Sequence, residues 1–494
     1  MQSVKPLTHS DETITGKFLL AGFEFDVRLL PKNFFSDLWG RTENHRTMPT
    51  KLWEKDYDLD QKIADFTVGK DRELDLELAP FDVLGSLAHV QMLGEVGLLD
   101  AGAARRCKEK LKELYRSAKA GEFVIEDGVE DVHSQVELML TRALGDDGKK
   151  IHSGRSRNDQ VLVDLRLYLR HRIRGIVEQA AELSRTLTSL SEEHKDKLIP
   201  GYTHLQVAMV SSFGLWFGAY GEALIDDLRM FRGVYDVVDQ NPLGSAAGYG
   251  SSFPLDRDRT TELLGFSAPV INVVAAQMGR GKTELLLAFA IAGLAQTVGK
   301  MAMDVCLYSS QNFGFLQLPA ELTTGSSIMP HKKNPDVFEL LRGRCNLLQS
   351  LPAQISHLTT NLPSGYHRDF QLLKEAIFPA LDQLEDGLNI ALYALPRTRV
   401  RAQKLPTDPR YLYLYSVEAV NKLVLEGVPF RDAYTQVGRD IEAGTFTPPT
   451  ELKHTHLGSL GNLGNERISA KLEEVMRTFS FGVADNALGK LTKD

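Results

Sequence analysis

A chain of 494 residues exceeds the size at which a single hydrophobic core keeps growing, which implies two or three domains. Its 25% charged and 43% hydrophobic residues are ordinary for a globular protein and argue against wholesale disorder. The net charge of −8 is spread in both signs, so no basic domain offers nucleic acid an electrostatic footprint. Cys107, Cys306 and Cys345 are too few and too far apart for a disulfide framework or a metal cluster. They read as buried thiols in a reducing, cytoplasmic compartment.

Residues 1–47 carry neither an apolar leader nor an acid-free amphipathic pattern, and Asp11, Glu12, Glu24 and Asp26 argue against a transit peptide. We read them as a poorly ordered extension without a catalytic group, ahead of an N-terminal helical domain at 48–154. From Leu162 the apolar positions run Leu165, Leu169, Ile173, Ile176, Ala180, Leu183, Leu187 and Leu190, a near-heptad seam sustained over about four heptads. Ile199-Pro200-Gly201 stops it. Further helical tracts are predicted over residues 207–238, 283–311 and 337–358, with a Gly/Ser/Pro-rich loop at 241–253. The most apolar window, 285–299, lies between Glu284 and Lys300. It falls short of the ~20 residues that span a bilayer and reads as a buried helix, so no membrane partner is expected. Alternation with period two is scarce, and the fold class is therefore all-α. Helices of roughly 25–35 residues, ~40–50 Å long, exceed what one compact domain needs, and their seams invite other copies of the chain. A central long-helix domain is placed at 155–405 and a small helical domain at 406–494.

The most informative stretch is Gly325-Ser326-Ser327-Ile328-Met329-Pro330-His331-Lys332-Lys333-Asn334-Pro335-Asp336. Gly325 and Pro330 punctuate it and Pro335 keeps Asn334 extended, so it is a loop and not a helix interior. Two hydroxyls, two ammonium groups and a carboxamide on such a loop suit closure over a small polyanion on which negative charge grows. Elsewhere a Lys-Lys-Asn run would read as solvated charge with Asn334 capping a helix, and the serines as turn residues. This run resembles the signature loop at 323–336 of the fumarase/aspartase superfamily. Three other segments resemble its argininosuccinate lyase branch: Ser153-Gly154-Arg155-Ser156-Arg157-Asn158-Asp159-Gln160, Gly201-Tyr202-Thr203-His204-Leu205-Gln206, and Leu362-Pro363-Ser364-Gly365-Tyr366-His367-Arg368-Asp369-Phe370-Gln371.

That resemblance implies reversible elimination of L-argininosuccinate to L-arginine and fumarate, the last step of arginine biosynthesis. It also implies three domains per chain and a homotetramer with a central helical bundle, its active sites shared between subunits. The chemistry needs a base for a weakly acidic C–H, donors around the resulting aci-carboxylate, and an acid for the leaving nitrogen. The resemblance assigns the base to Ser326, although spacing alone does not separate it from Ser327. Lys332 and Asn334 stand two apart and suit charge stabilisation. His204, paired with Glu339, is the general acid or base; which of Ser326 and His204 removes the carbon-bound proton stays open. Arg155, Arg157 and Asn158 offer donors for carboxylates. Thr203, Tyr366, Gln371 and Lys374 match further substrate contacts. No metal and no cofactor are expected, since His331, His357 and His367 lack ligand spacing.

Departures from the family pattern are visible too. Its N-terminal-loop serine falls at Gly69 in Thr67-Val68-Gly69-Lys70, and the spacing to Asp82 is longer; backbone N–H groups or Lys70 are the candidate replacements. The signature-loop glutamine is His331, and a Glu-Arg-Asp segment is replaced by Gly279-Arg280-Gly281-Lys282-Thr283. Gly281-Lys282-Thr283 imitates a phosphate-binding loop, but Ala276 stands where that loop needs glycine and no buried strand is expected before it. Adenylosuccinate lyase would need a phosphate site that the sequence does not show, and a catalytically silent structural relative would not need to keep Ser326, Lys332, Asn334, His204 and Glu339.

Overall fold

The computed structural model describes residues 15–20, 23–28, 61–401, 403, 405, 408–449 and 451–493. The chain forms two compact units, Met1–Tyr57 and Asp58–Asp494. In the first, β1 (Thr15–Leu20) and β2 (Phe23–Arg28) pair as an antiparallel hairpin with Leu20 opposite Phe23. The rest of what was expected for residues 1–47 lies outside the described residues.

The second unit is helical. Its first part comprises α1 (Gln61–Val68), α2 (Asp71–Glu95), α3 (Ala101–Lys119), α4 (Val132–Leu144) and the single turn α5 (Asp146–Lys149). Asp100 and Asp131 start α3 and α4 by accepting from the backbone N–H of Ala103 and Ser134, each at 2.9 Å. Leu84, Leu87, Cys107, Leu111 and Leu140 make a core there that continues into Val163 and Leu167 of the next helix.

That helix, α6 (Arg157–Glu193), spans 37 residues and about 55 Å at 1.5 Å per residue. A capping box of Ser156 and Asp159 begins it. Every residue of the predicted seam from Leu162 to Leu190 is buried. The other Asp159 carboxylate oxygen accepts from Gly244 and Ala246, both at 3.0 Å, and so pins the predicted 241–253 loop to the start of α6.

The tract expected to be helical over 207–238 begins instead as a strand. β3 (Leu198–Thr203) and β4 (Gln206–Ser212) form a hairpin, and α7 (Phe213–Val238) starts where Ser212 caps the Leu215 N–H at 3.1 Å. Its tip, His204-Leu205, has φ of +54° and +60° at both positions, the backbone of a two-residue turn that usually takes Asn-Gly.

Next come β5 (Gln240–Asn241), α8 (Arg257–Leu264), β6 (Ala268–Pro269), α9 (Val273–Met278) and α10 (Lys282–Ser309). By length and composition α10 is apolar enough to cross a membrane, but Leu287, Ile291, Leu294, Val298 and Met301 are buried in the central core. β7 (Leu316–Gln317) precedes the signature loop. The tract expected over 337–358 is divided: α11 (Asp336–Leu348) ends, and α12 (Leu351–Leu358) restarts with Pro352 in its first turn, a position where a missing N–H costs nothing. After α13 (Leu372–Ala394), β8 (Arg399–Val400) pairs with β7. Of the last four helices, α14 (Ser416–Leu425) and α15 (Phe430–Glu442) share a small core of Val420, Ala433 and Val437. Leu472 of α16 (Asn465–Met476) joins the central core and Leu491 of α17 (Phe481–Thr492) the N-terminal one. Among the described residues every strand lies in a two-stranded pair, and the all-α class holds.

Candidate active site

The residues singled out in the sequence fall into three places. The first is a cavity of about 140 Å³ where the starts of α2, α4 and α6 meet the segment leading into α13. Arg157, Asn158, Tyr366, Gln371 and Lys374 all line it. Larger clefts, of about 830 and 1220 Å³, lie along α2 and α3 and beside α14 and α15, and none of the predicted site residues lines them.

Each charged group in the cavity has an ion-pair partner, but Asp71 and Asp75 share one. Arg157 donates to Glu130 at 3.1 Å and Ser134 at 2.8 Å, and its Nε lies 3.0 Å from Asp131. Arg368 meets the other Glu130 oxygen at 2.9 Å. Burial alone would raise the Asp131 carboxyl; His133 and Arg157 beside it hold it below the usual value. Lys374 is buried between Asp71 at 2.8 Å and Asp75 at 2.5 Å. Gln371 donates to the carbonyls of Thr67 at 3.0 Å and Val68 at 2.9 Å, which ties the α1–α2 turn to the cavity rim.

That turn holds Gly69, the position expected for the family's serine contact. Gly69 has φ +53°, and Lys70 points away toward Glu375 at 4.0 Å and lines no part of the cavity. What enters instead is the carboxylate of Asp71. Sequence reasoning missed it, together with Asp75, Glu130, Asp131 and His133. The one available signal was the pair of acidic residues four apart at the start of α2, on one helical face.

Arg155 is not in the cavity. It is 8% exposed, donates to Ser86 at 2.9 Å, and belongs to a buried cluster behind the wall. In that cluster His133 lies 2.8 Å from Asp82 and 3.4 Å from Asp164. Burial opposes charge on the imidazole, but the hydrogen bond and charge of Asp82, with Asp164 and Asp131, raise its pKa to about 9. Asp82, His133 and Asp164 are the three groups among the described residues that gather closely enough to hold a metal ion. A metal would need the neutral imidazole, whereas these carboxylates favour its proton, so the cluster reads as an ion pair.

The second place is the β3–β4 tip, where Thr203 and His204 are both exposed. The third is the signature loop. An antiparallel bridge of Thr324 and Asn334 closes its neck, with N–H to O distances of 2.9 and 3.2 Å, and the Thr324 hydroxyl bonds Asp336. Inside the loop the Ser326 hydroxyl oxygen accepts from the backbone N–H of Met329 at 3.0 Å and Ile328 at 3.3 Å. Ser327 faces solvent. Lys332 is exposed, Asn334 half-buried, and Glu339 exposed in the first turn of α11. Among the described residues no hydrogen bond joins His204 to Glu339, and the cavity wall includes no member of the second or third group.

Arg280 of the departing segment also lines the cavity, donating to the Phe370 carbonyl at 2.7 Å beside Glu284 at 3.0 Å. Gly281 (φ +80°) is required there, since a Cβ would meet Thr359 at 2.6 Å. Gly281 caps α10, which contains Lys282 and Thr283, and the element before it is the helix α9 and not a strand, so the likeness to a phosphate-binding loop has no structural counterpart.

A lyase family model matches residues 50–349. The chain is 58% identical to the argininosuccinate lyase of Phocaeicola vulgatus, covering 89% of this chain and 98% of that one. It is 57% identical to the argininosuccinate lyase of Parabacteroides distasonis, covering 90% and 99%. A crystal structure of EDDS lyase in complex with formate shares the fold, with a TM-score of 0.69 at 21% identity over 87% of this chain and 93% of that one. The chain therefore belongs to the fumarase/aspartase family of lyases, and within it to the argininosuccinate lyases.

Proposed function

We propose that the protein splits argininosuccinate into arginine and fumarate at sites completed by segments from different subunits of a homotetramer. The observation that carries this reading is the separation just described. One chain gathers five predicted binding residues in a cavity, while the tip with His204 and the loop with Ser326 are absent from its wall. An enzyme whose binding groups and reacting groups stand apart in one chain needs other chains to bring them together. Exposed Met230 and Phe289 on α7 and α10, and Leu340 and Leu347 on α11, supply apolar surface for such packing.

In the assembled site Ser326 takes the carbon-bound proton, because two N–H donors on its oxygen favour the alkoxide over the hydroxyl. Lys332 and Asn334 hold the aci-carboxylate as its second charge grows. His204, supported by Glu339, serves the leaving nitrogen. We also propose the division into domains at 48–154, 155–405 and 406–494. Purified protein given argininosuccinate should release fumarate, read by its ultraviolet absorbance, and should release none from adenylosuccinate. The reverse pattern would overturn the assignment.

A further inference from the structure

Asp71 and Asp75 stand one helical turn apart at the start of α2, and both carboxylates close on one ammonium, that of Lys374. This group of three carries one negative charge in excess. Each neighbouring cation has carboxylates of its own. Arg157 and Arg368 are taken by Glu130 and Asp131, Arg280 lies against Glu284, and His133 is taken by Asp82 and Asp164. Burial, with the Asp75 carboxylate beside it, raises Asp71 to about 6 against the pull of Lys374 and, more weakly, of Arg280. A carboxylate left short of a counter-ion in a small cavity is a receptor for a ligand cation.

The residues proposed for the chemistry are absent from this cavity, so the cavity takes the end of the substrate that does not react. That end of argininosuccinate is an α-amino acid, with an ammonium and a carboxylate on one carbon. We infer that Asp71, carried into the cavity by the first turn of α2, binds the α-ammonium of the arginine end and makes the enzyme selective for it. The carboxylate on the same carbon falls to the cationic side, Lys374 and Asn158. The inference rests on reading the cavity as the subsite of the arginine end.

Product inhibition of the full-length enzyme tests it, using L-arginine, 5-guanidinopentanoate (arginine without its α-ammonium) and fumarate. In the unmodified enzyme arginine should inhibit at least about tenfold more tightly than 5-guanidinopentanoate. In Asp71→Asn that preference should vanish, with fumarate inhibition unchanged within about twofold and the loss appearing in KM more than in kcat. Should Asp71→Asn fail to fold, Asp71→Ser carries the same comparison. A merely structural Asp71 would weaken all three inhibitors together and keep the preference, which would overturn the inference. Equal inhibition of the unmodified enzyme by arginine and its analogue would overturn it as well. Inhibition by fumarate but by neither guanidino compound would instead refute the cavity assignment on which it rests.

Discussion

The backbone N–H of Met329 points at the hydroxyl oxygen of Ser326 from 3.0 Å, with the Ile328 N–H beside it. Donors at a hydroxyl oxygen stabilise the deprotonated form more than the protonated one. This distinguishes two serines that are equivalent by spacing.

Ser326→Ala should therefore lower kcat by about 10³-fold or more, and Ser327→Ala by less than about tenfold. Both should melt at the unmodified temperature, since each removes only a loop hydroxyl. Steady-state rates on argininosuccinate with a melting curve check this; the opposite order of severity would assign the base to Ser327.

Lys332→Ala should reduce kcat by roughly 10²–10³-fold, because its charge matters most as the aci-carboxylate forms. Asn158→Ala should act chiefly on KM. It is a cleaner probe than Arg157→Ala, which would also strand Glu130 and Asp131. A Lys332 variant with ordinary kcat and raised KM would make that lysine a ground-state anchor.

Two inactive chains should complement one another. Mixed after reversible dissociation, His204→Ala and Ser326→Ala subunits should regain activity at up to about a quarter of sites, since each site draws each segment independently. Native mass spectrometry confirms that hybrids formed. Hybrids without activity would place both groups in one site from one chain.

Alkaline pH should loosen the fold through His133. Its folded pKa of about 9 lies above the ordinary 6.5, so the folded state holds the proton more tightly than the unfolded one. The stabilisation is complete below about pH 6.5 and disappears as pH rises through about 9, on the order of 3 kcal/mol in all. Denaturant midpoints measured between pH 7 and pH 10 should fall, and Asp82→Asn should both lower and flatten that curve. A pH-independent midpoint in the unmodified protein would contradict the ion pair.

The long helices were legible because α6 repeats its apolar residues at the helical period over its whole seam, and the structure buries all of them. The β3–β4 hairpin was hidden because its tip carries His204-Leu205 in place of Asn-Gly. Tertiary pairing imposes the left-handed backbone there, and local chemistry does not announce it. In the candidate site, motif residues could be named but not placed. Arg155 shares a triplet with Arg157 yet turns the other way, because it precedes the cap at Ser156 while Arg157 is the first helical residue. Asp71 was missed for the opposite reason. It lies outside every motif and gains its meaning only from Lys374, far away in the chain.

The neck of the signature loop has one more consequence. Thr324 and Asn334 fasten the two ends together, so residues 325–333 form a lasso and not a free tether. A protease must draw an exposed segment into an extended shape before cutting it, and a lasso this short resists that while its neck is tied. Cleavage inside the loop then becomes a clock for the untying of Thr324 from Asn334. Slower nicking with bound fumarate would time how long the enzyme keeps its product enclosed.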